Sequence, residues 1–277
     1  MSNVKFKPIR LQVASKLPPL ARRVVTVGVP LPVGVSTEAS DLCICNSQDK
    51  CLPSVIDVTS RWGDGSIRWC TARFLSDQSA SEFTLQPRAG RTNEERSLLK
   101  VSETDGLSVS VDGSTYRFFS GSRFPAIETV ETHLVDSGEV HITNEDGASV
   151  QCEFEPPKLV SHDDLTAVVR IQGMAAFGDN HSLNLILSYQ IFADRRLSVT
   201  VGVHNPGRAQ HNDGIWDLGD SGSVFIDRFV LELACTKAND ILLQTESDSE
   251  WLSQATHSAM QLYQACLLYT SPSPRDS

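Results

Sequence analysis

The stretch Arg61-Trp62-Gly63-Asp64-Gly65-Ser66-Ile67-Arg68-Trp69 decides how this chain is expected to fold. Asp-Gly is a strong signal for a short β-hairpin, and it occurs here at Asp64-Gly65. The segments on either side, 54–59 and 67–74, are rich in β-branched and aromatic residues, which favour strands. The nonamer therefore predicts two antiparallel strands joined by a tight turn.

Two tryptophans and two arginines flank this single turn, and two interpretations of them are open. In the structural interpretation, Trp62 and Trp69 plug the end of a small barrel while Arg61 and Arg68 stack on the indole rings. In the functional interpretation, the same side chains form an aromatic and cationic platform for an acidic sugar. We favour the structural interpretation, because large aromatic side chains are buried more often than they bind ligands.

Strand-like segments extend on both sides of the hairpin, spaced by about ten residues and without a helical period. This pattern predicts a small β-barrel over residues 1–90, followed by a polar, turn-rich linker at 91–99. The predicted barrel strands are 24–29, 41–46, 54–59, 67–74 and 82–87.

A second series of strands predicts an antiparallel β-sandwich over residues 100–265. The clearest hairpin in it has Asp112-Gly113 as its turn, between an alternating segment at 107–111 and a returning segment at 115–119. Only residues 250–263 have a helix-like pattern. The remaining predicted strands are 129–134, 139–143, 149–154, 167–174, 182–192 and 197–204.

The hairpin and an upstream segment, Val27-Gly28-Val29-Pro30-Leu31-Pro32-Val33-Gly34, together resemble the opening domain of the exo-rhamnogalacturonan lyase-like family, the PcRGLX/YetA-like proteins. One departure from the family pattern is Gly63, which stands where the family has Pro. The resemblance implies a RIFT-type β-barrel, then a β-sandwich, then a large α/α toroid. It also implies β-elimination on acidic, rhamnose-containing glycans, with an acidic polysaccharide or oligosaccharide as partner.

A long loop, 204–223, resembles a segment of the same family's second domain, with Asp213 and Ser221 as departures. A run of this length without strand or helix pattern is uncommon in a compact domain and is often functional. The candidate substrate-binding residues in it are His204, Arg208, His211, Trp216, Asp217 and Asp220.

Alternative roles for this loop's ionisable residues are also open. Asp213, Asp217 and Asp220 offer hard oxygen ligands for calcium, although they do not follow a regular calcium-loop spacing. The aspartates equally suit caps of backbone turns, which is the role we favour. His204 and His211 suit either a catalytic base or a structural role, and we favour the structural role.

The tail from Cys266 to Asp276 resembles the translation of a sequencing adapter, which suggests that the natural sequence departs near Ala265. On this interpretation the chain is an N-terminal fragment that lacks the C-terminal toroid. In toroid-containing lyases most catalytic groups lie on the toroid, so we assign no catalytic residue here and expect no turnover.

The alternative function is a non-catalytic carbohydrate-binding or interaction module that uses Trp62, Trp69 and Trp216 as stacking faces.

Charge and cysteine content narrow the remaining classes of function. A net charge of -10 argues against nucleic acid and anionic membranes as partners. Neither a membrane-spanning run nor a signal peptide is recognisable in the sequence, and this favours a cytoplasmic location. Cys43 and Cys45 are predicted to point the same way on a strand, with Cys51 and Cys70 nearby in sequence. Their spacing matches no closed zinc pattern, so we predict reduced, buried thiols, no metal and no cofactor.

Overall fold

The computed structural model describes residues 7–13, 22–76, 81–88, 98–130, 133–178, 181–207, 224–234, 241–243 and 252–254. Within these ranges the chain is all-β, with one short 3₁₀ turn at Ala39–Asp41. The predicted fold class, a small barrel followed by an antiparallel sandwich, is confirmed. None of the helical structure in these ranges is long and apolar enough to cross a membrane.

Six of the described strands build the barrel as two three-stranded antiparallel sheets around one core. Their orders are β2-β5-β4 and β1-β6-β3, and apolar side chains from both sheets share the interior. The strands are Ile9–Gln12 (β1), Arg23–Pro30 (β2), Leu42–Cys45 (β3), Ser54–Arg61 (β4), Ile67–Ser76 (β5) and Glu82–Pro87 (β6). All four residues of β3 are buried, whereas β4 alternates between half-buried and exposed positions.

The sandwich strands described along the chain are Leu99–Ser102 (β7), Leu107–Val111 (β8), Ser114–Phe118 (β9), Ala126–Thr129 (β10), His133–Val135 (β11), Ser137–Asn144 (β12), Gln151–Phe154 (β13), Lys158–His162 (β14), Thr166–Phe177 (β15), His181–Phe192 (β16), Leu197–His204 (β17) and Ile226–Ala234 (β18). A sheet of order β11-β10-β9-β8-β7 faces a second sheet of order β13-β15-β16-β17, and β14 also pairs with β15. A third, two-stranded sheet joins β12 to β18.

An aromatic cluster centred on Tyr189 holds the two large sheets together. Its ring lies edge-on to Phe118 at 5.5 Å and to Phe124 at 5.8 Å between centroids. The Tyr189 hydroxyl donates a hydrogen bond to the Arg123 carbonyl, which satisfies the polar end of a fully buried side chain. Burial of this kind is the main source of stability for a sandwich.

Two predictions from the sequence are wrong. The single strand predicted at 129–134 is two strands, β10 and β11, which pair antiparallel with each other. The helix-like segment at 250–263 contains a strand, Leu252–Gln254 (β20), and its other residues lie outside the described ranges. This strand pairs with Ile241–Leu243 (β19) in a second compact unit that begins at Ala238.

A buried carboxylate joins the barrel to the sandwich. The Asp194 side chain is fully buried and accepts hydrogen bonds from the Val24 backbone N–H at 2.8 Å and from Arg196 Nε at 2.7 Å. Arg196 also donates from Nη2 to the Val24 carbonyl at 2.7 Å, so both backbone groups of Val24 are bound. Beside this contact, Val24 and Leu75 of the barrel pack with Leu165 and Ala193 of the sandwich.

We expect Asp194→Ala to lower the free energy of unfolding by about 2–4 kcal/mol, because the Val24 N–H and the Arg196 guanidinium lose a buried, charged acceptor. Asp164→Ala, an exposed change near the same junction, serves as the control and is expected to cost less than about 0.5 kcal/mol. Urea unfolding of the two variants measures the difference. Equal losses would show that the Asp194 contact is not what holds the junction.

Candidate functional site

The predicted hairpin is present, and its connection consists of residues 62–66 between β4 and β5. The Trp62 backbone N–H donates to the Ser66 carbonyl at 2.8 Å, and the Gly65 backbone N–H donates to the Trp62 carbonyl at 3.0 Å. Asp64 Oδ1 accepts from the Ser66 N–H at 2.9 Å and from its hydroxyl at 2.6 Å. Gly65 has φ +85°, a left-handed conformation that favours glycine, so each residue of Asp64-Gly65 has a distinct structural role.

The two arginines of the motif act differently. The Arg68 guanidinium lies 4.9 Å from the centre of the Trp62 ring, which confirms the predicted stacking for this pair. Arg61 instead donates from Nη1 to the Gly65 carbonyl at 3.0 Å and to the Thr37 carbonyl at 2.5 Å. Arg61 therefore ties the turn to a neighbouring loop, while Arg68 stays on the outer surface beside an indole.

The prediction that both tryptophans plug the barrel is wrong. Trp62 is 36% exposed and Trp69 is 46% exposed. Trp62 is nevertheless held in place, since its Nε1–H donates to the carbonyl of the buried Leu31 at 3.0 Å. The result is a surface of three side chains, Trp62, Arg68 and Trp69, which we call the hairpin platform.

A β-bulge explains why Arg68 and Trp69 are both exposed although they are neighbours in the chain. The register between β4 and β5 shifts around Ser60, which pairs with Trp69, while Arg61 pairs with Ile67. Strict alternation would turn Trp69 toward the core, because Ile67 points there and is fully buried. The bulge breaks that alternation, a device that often re-aims a side chain near a binding site.

A polar cleft of about 390 Å³ borders the turn on the side of the upstream loop. Ser66 anchors its wall by accepting from the Gly34 N–H at 2.9 Å, and the Ser36 carbonyl accepts from the Ile67 N–H at 2.7 Å. The hydrogen bonds from Ser66 hold the pKa of Asp64 below its ordinary value, so this carboxylate is ionised at neutral pH. Hydroxyls and carboxylates of this kind suit hydrogen bonding to sugar hydroxyl groups.

Asp64, Ser66 and Gly34 in this lining belong to the two motifs quoted from the sequence, but the rest of the lining was not singled out. Ser36, Thr37 and Asp41 come from the loop that follows the Gly-x-Pro-Leu-Pro-x-Gly segment and includes the 3₁₀ turn. The Gly-x-Pro-Leu-Pro-x-Gly segment could have identified them. Its Leu31 backbone N–H donates to the Arg68 carbonyl at 2.9 Å, so the loop that follows the segment lies beside the hairpin. The two motifs of the first domain therefore meet in space.

The second predicted site is described only at its start. His204 is the last residue of β17, is exposed, and lies opposite Asn184 of β16. The Asn205 side chain accepts from the Gly207 N–H at 2.8 Å. The predicted substrate-binding residues Arg208, His211, Trp216, Asp217 and Asp220 lie outside the described ranges, so their role stays a prediction.

Gly63, the residue that departs from the family pattern, lies in open space. A Cβ built at this position has no neighbouring atom within 4 Å. A Cβ at this position would therefore cause no clash in the turn.

The fold and the hairpin platform define an all-β protein whose first part is a small barrel with an exposed aromatic and cationic hairpin. The comparison with known families is more specific. Residues 8–88 match the model of the PcRGLX-like N-terminal RIFT barrel domain. The matched range contains both motifs and all of the barrel strands, which confirms the resemblance for this part of the chain. Neither a curated protein nor a solved structure gives a significant match to the chain.

We expect Ser66→Ala to raise the pKa of Asp64 toward its ordinary value, because the hydroxyl hydrogen bond to the carboxylate is lost. A carboxyl group whose pKa is lower in the folded chain than in the unfolded chain stabilises the fold at pH values above the unfolded pKa. That stabilisation is lost as the pH falls through the folded pKa. NMR titration of the Asp64 side chain measures the shift. Ser36→Ala, which removes a hydroxyl from the same cleft but not from Asp64, should leave this pKa unchanged; a similar rise in both variants would contradict the assignment.

Proposed function

We propose that the chain supplies the N-terminal β domains of a polysaccharide lyase-like protein that acts by β-elimination on acidic, rhamnose-containing glycans. The observation that carries this proposal is the match of residues 8–88 to the PcRGLX-like N-terminal RIFT barrel domain. The resemblance of the loop at 204–223 to the family's second domain extends the same proposal toward the sandwich.

β-Elimination from a uronate makes definite chemical demands. The carboxylate charge must be neutralised, a base must remove the C5 proton, and an acid must protonate the departing O4. Around the hairpin platform the described ionisable groups are arginines and carboxylates. The lowered pKa of Asp64 leaves it ionised at neutral pH, so it has no proton to donate and is a weak base. We therefore place the reacting groups on a C-terminal α/α toroid, as the family resemblance implies, and assign the β domains a supporting role.

The chain is expected to show no lyase activity with rhamnogalacturonan. Purified protein is mixed with the polysaccharide, and the absorbance of the unsaturated uronate product is followed over time. An active rhamnogalacturonan lyase added to a parallel sample shows that the substrate is competent. Steady formation of unsaturated product by the chain alone would refute a purely supporting role for these domains.

We propose, as a second candidate function, that the barrel itself binds acidic oligosaccharides at the hairpin platform. The observation that favours it is the exposure of both indole rings, which a plug for the barrel would not require. The side chains around them are already ordered, since Trp62 is bonded to Leu31 and stacked by Arg68. Order of this kind lowers the entropy lost on binding, and the Arg68 charge can pair with a uronate carboxylate.

We expect Trp69→Ala to weaken binding of rhamnogalacturonan oligosaccharides by about tenfold, because Trp side chains that stack on a ligand contribute on the order of 1–2 kcal/mol. Phe119→Ala is the matched control, since Phe119 is 48% exposed but lies on the sandwich. Calorimetric titration of both variants measures the affinities, and circular dichroism checks that each is folded. Unchanged affinity in a folded Trp69→Ala variant would remove the platform from consideration.

A further inference from the structure

Three cysteine thiols converge beside β3, on the face opposite Leu42 and Ile44 of the barrel core. The Sγ atoms lie 3.6 Å apart between Cys43 and Cys45, 3.4 Å apart between Cys45 and Cys51, and 3.1 Å apart between Cys43 and Cys51. None of the three forms a disulfide. Cys43 and Cys45 are buried and Cys51 is partly exposed, so the cluster has a closed base and one side open to solvent.

The fold produces this cluster from residues that are separated in the sequence. Cys43 and Cys45 lie two positions apart on β3 and therefore share a face. A turn then reverses the chain, with Asp49 at φ +63° and Asn46 Oδ1 accepting from the Lys50 N–H at 3.0 Å. This turn places Cys51 directly opposite Cys45.

The backbone bonds around this pair bring the thiols close together. The Asn46 N–H donates to the Lys50 carbonyl at 3.0 Å, and the Leu52 N–H donates to the Ile44 carbonyl at 2.8 Å. Cys45 and Cys51 are thus a non-hydrogen-bonded antiparallel pair, the kind in which opposing side chains approach most closely. Two strands and their turn therefore preposition all three sulfur atoms.

We propose that Cys43, Cys45 and Cys51 bind a thiophilic d¹⁰ metal ion, of the class that includes zinc and Cu(I), through three thiolates. Three sulfurs at about 2.3 Å from one metal ion lie roughly 3.8–4.0 Å from one another. The observed separations need to widen by less than about 1 Å to reach that arrangement. A disulfide would need about 2.05 Å and would leave the third thiol unused.

The donor atoms of the site suit a soft metal ion. Three sulfur donors with no carboxylate among them are the ligand set that zinc and Cu(I) favour over hard cations. Cys70 shows the contrast, since it lies in the barrel core and its thiol donates to the Val29 carbonyl at 3.7 Å.

The test uses the full chain, reduced and metal-free under anaerobic conditions, titrated with Cd²⁺ as the probe. We expect ultraviolet thiolate-to-cadmium charge-transfer absorption that saturates at one equivalent. Competition with Zn²⁺ and with Cu(I) then ranks the two ions. Cys51→Ser should weaken Cd²⁺ binding by more than about a hundredfold, since even residues that only support ligands contribute 10–100-fold.

Cys152→Ser is the matched control, because Cys152 is a partly buried free thiol in the sandwich, and Cd²⁺ binding should be unchanged. X-ray absorption at the cadmium edge on the unaltered chain counts the sulfur ligands without relying on any variant. Three sulfurs around cadmium support the site. Fewer than three sulfurs, or absorption of equal strength in folded Cys51→Ser, would overturn it.

Discussion

The buried carboxylate of Asp194 is the contact on which the arrangement of the first compact unit depends. It is fully removed from solvent and yet is compensated, because the Val24 N–H and the Arg196 guanidinium both donate to it. A second ionic contact, from Arg73 to Asp163 at 2.6 Å, joins the central barrel strand β5 to the loop before β15. Another orientation of barrel and sandwich would take the Val24 N–H away from Asp194 and the Arg73 guanidinium away from Asp163, so these contacts favour the observed one.

That orientation leaves the hairpin end of β5 free to face solvent. The same strand contains Arg73, which contacts the sandwich, and Trp69, which lies on the hairpin platform. Between its two ends β5 pairs on both sides, with β2 and with β4. The strand combines a structural role at one end with an exposed aromatic surface at the other.

Much of the fold could be predicted from the sequence, and the reasons for success and failure are physical. The segments at 82–87, 107–111 and 197–204 coincide with β6, β8 and β17, because β-branched and aromatic residues bounded by turn residues give a clear signal. Strands β1, β14 and β18 were not predicted. In β18 no residue is fully buried, so its sequence lacks a distinct inner and outer face.

The candidate site shows where reasoning from sequence reaches its limit. Residue types identified the hairpin and the stacking of Arg68 on Trp62, but only the register of β4 against β5 reveals that Trp69 faces outward. Likewise, Cys43 and Cys45 were expected to share a face, whereas the approach of Cys51 depends on a five-residue turn whose geometry the spacing does not encode. Both outcomes follow from pairing between strands, which is not a local property of the chain.

The open space around Gly63 has a consequence for how this domain can vary. A Cβ at that position would meet no neighbouring atom, so an alanine there would act mainly on the unfolded chain, which glycine makes more disordered. Such a substitution stabilises the folded hairpin by on the order of 0.4–1 kcal/mol. The stability of this hairpin can thus vary through position 63 while the side chains that it exposes stay the same.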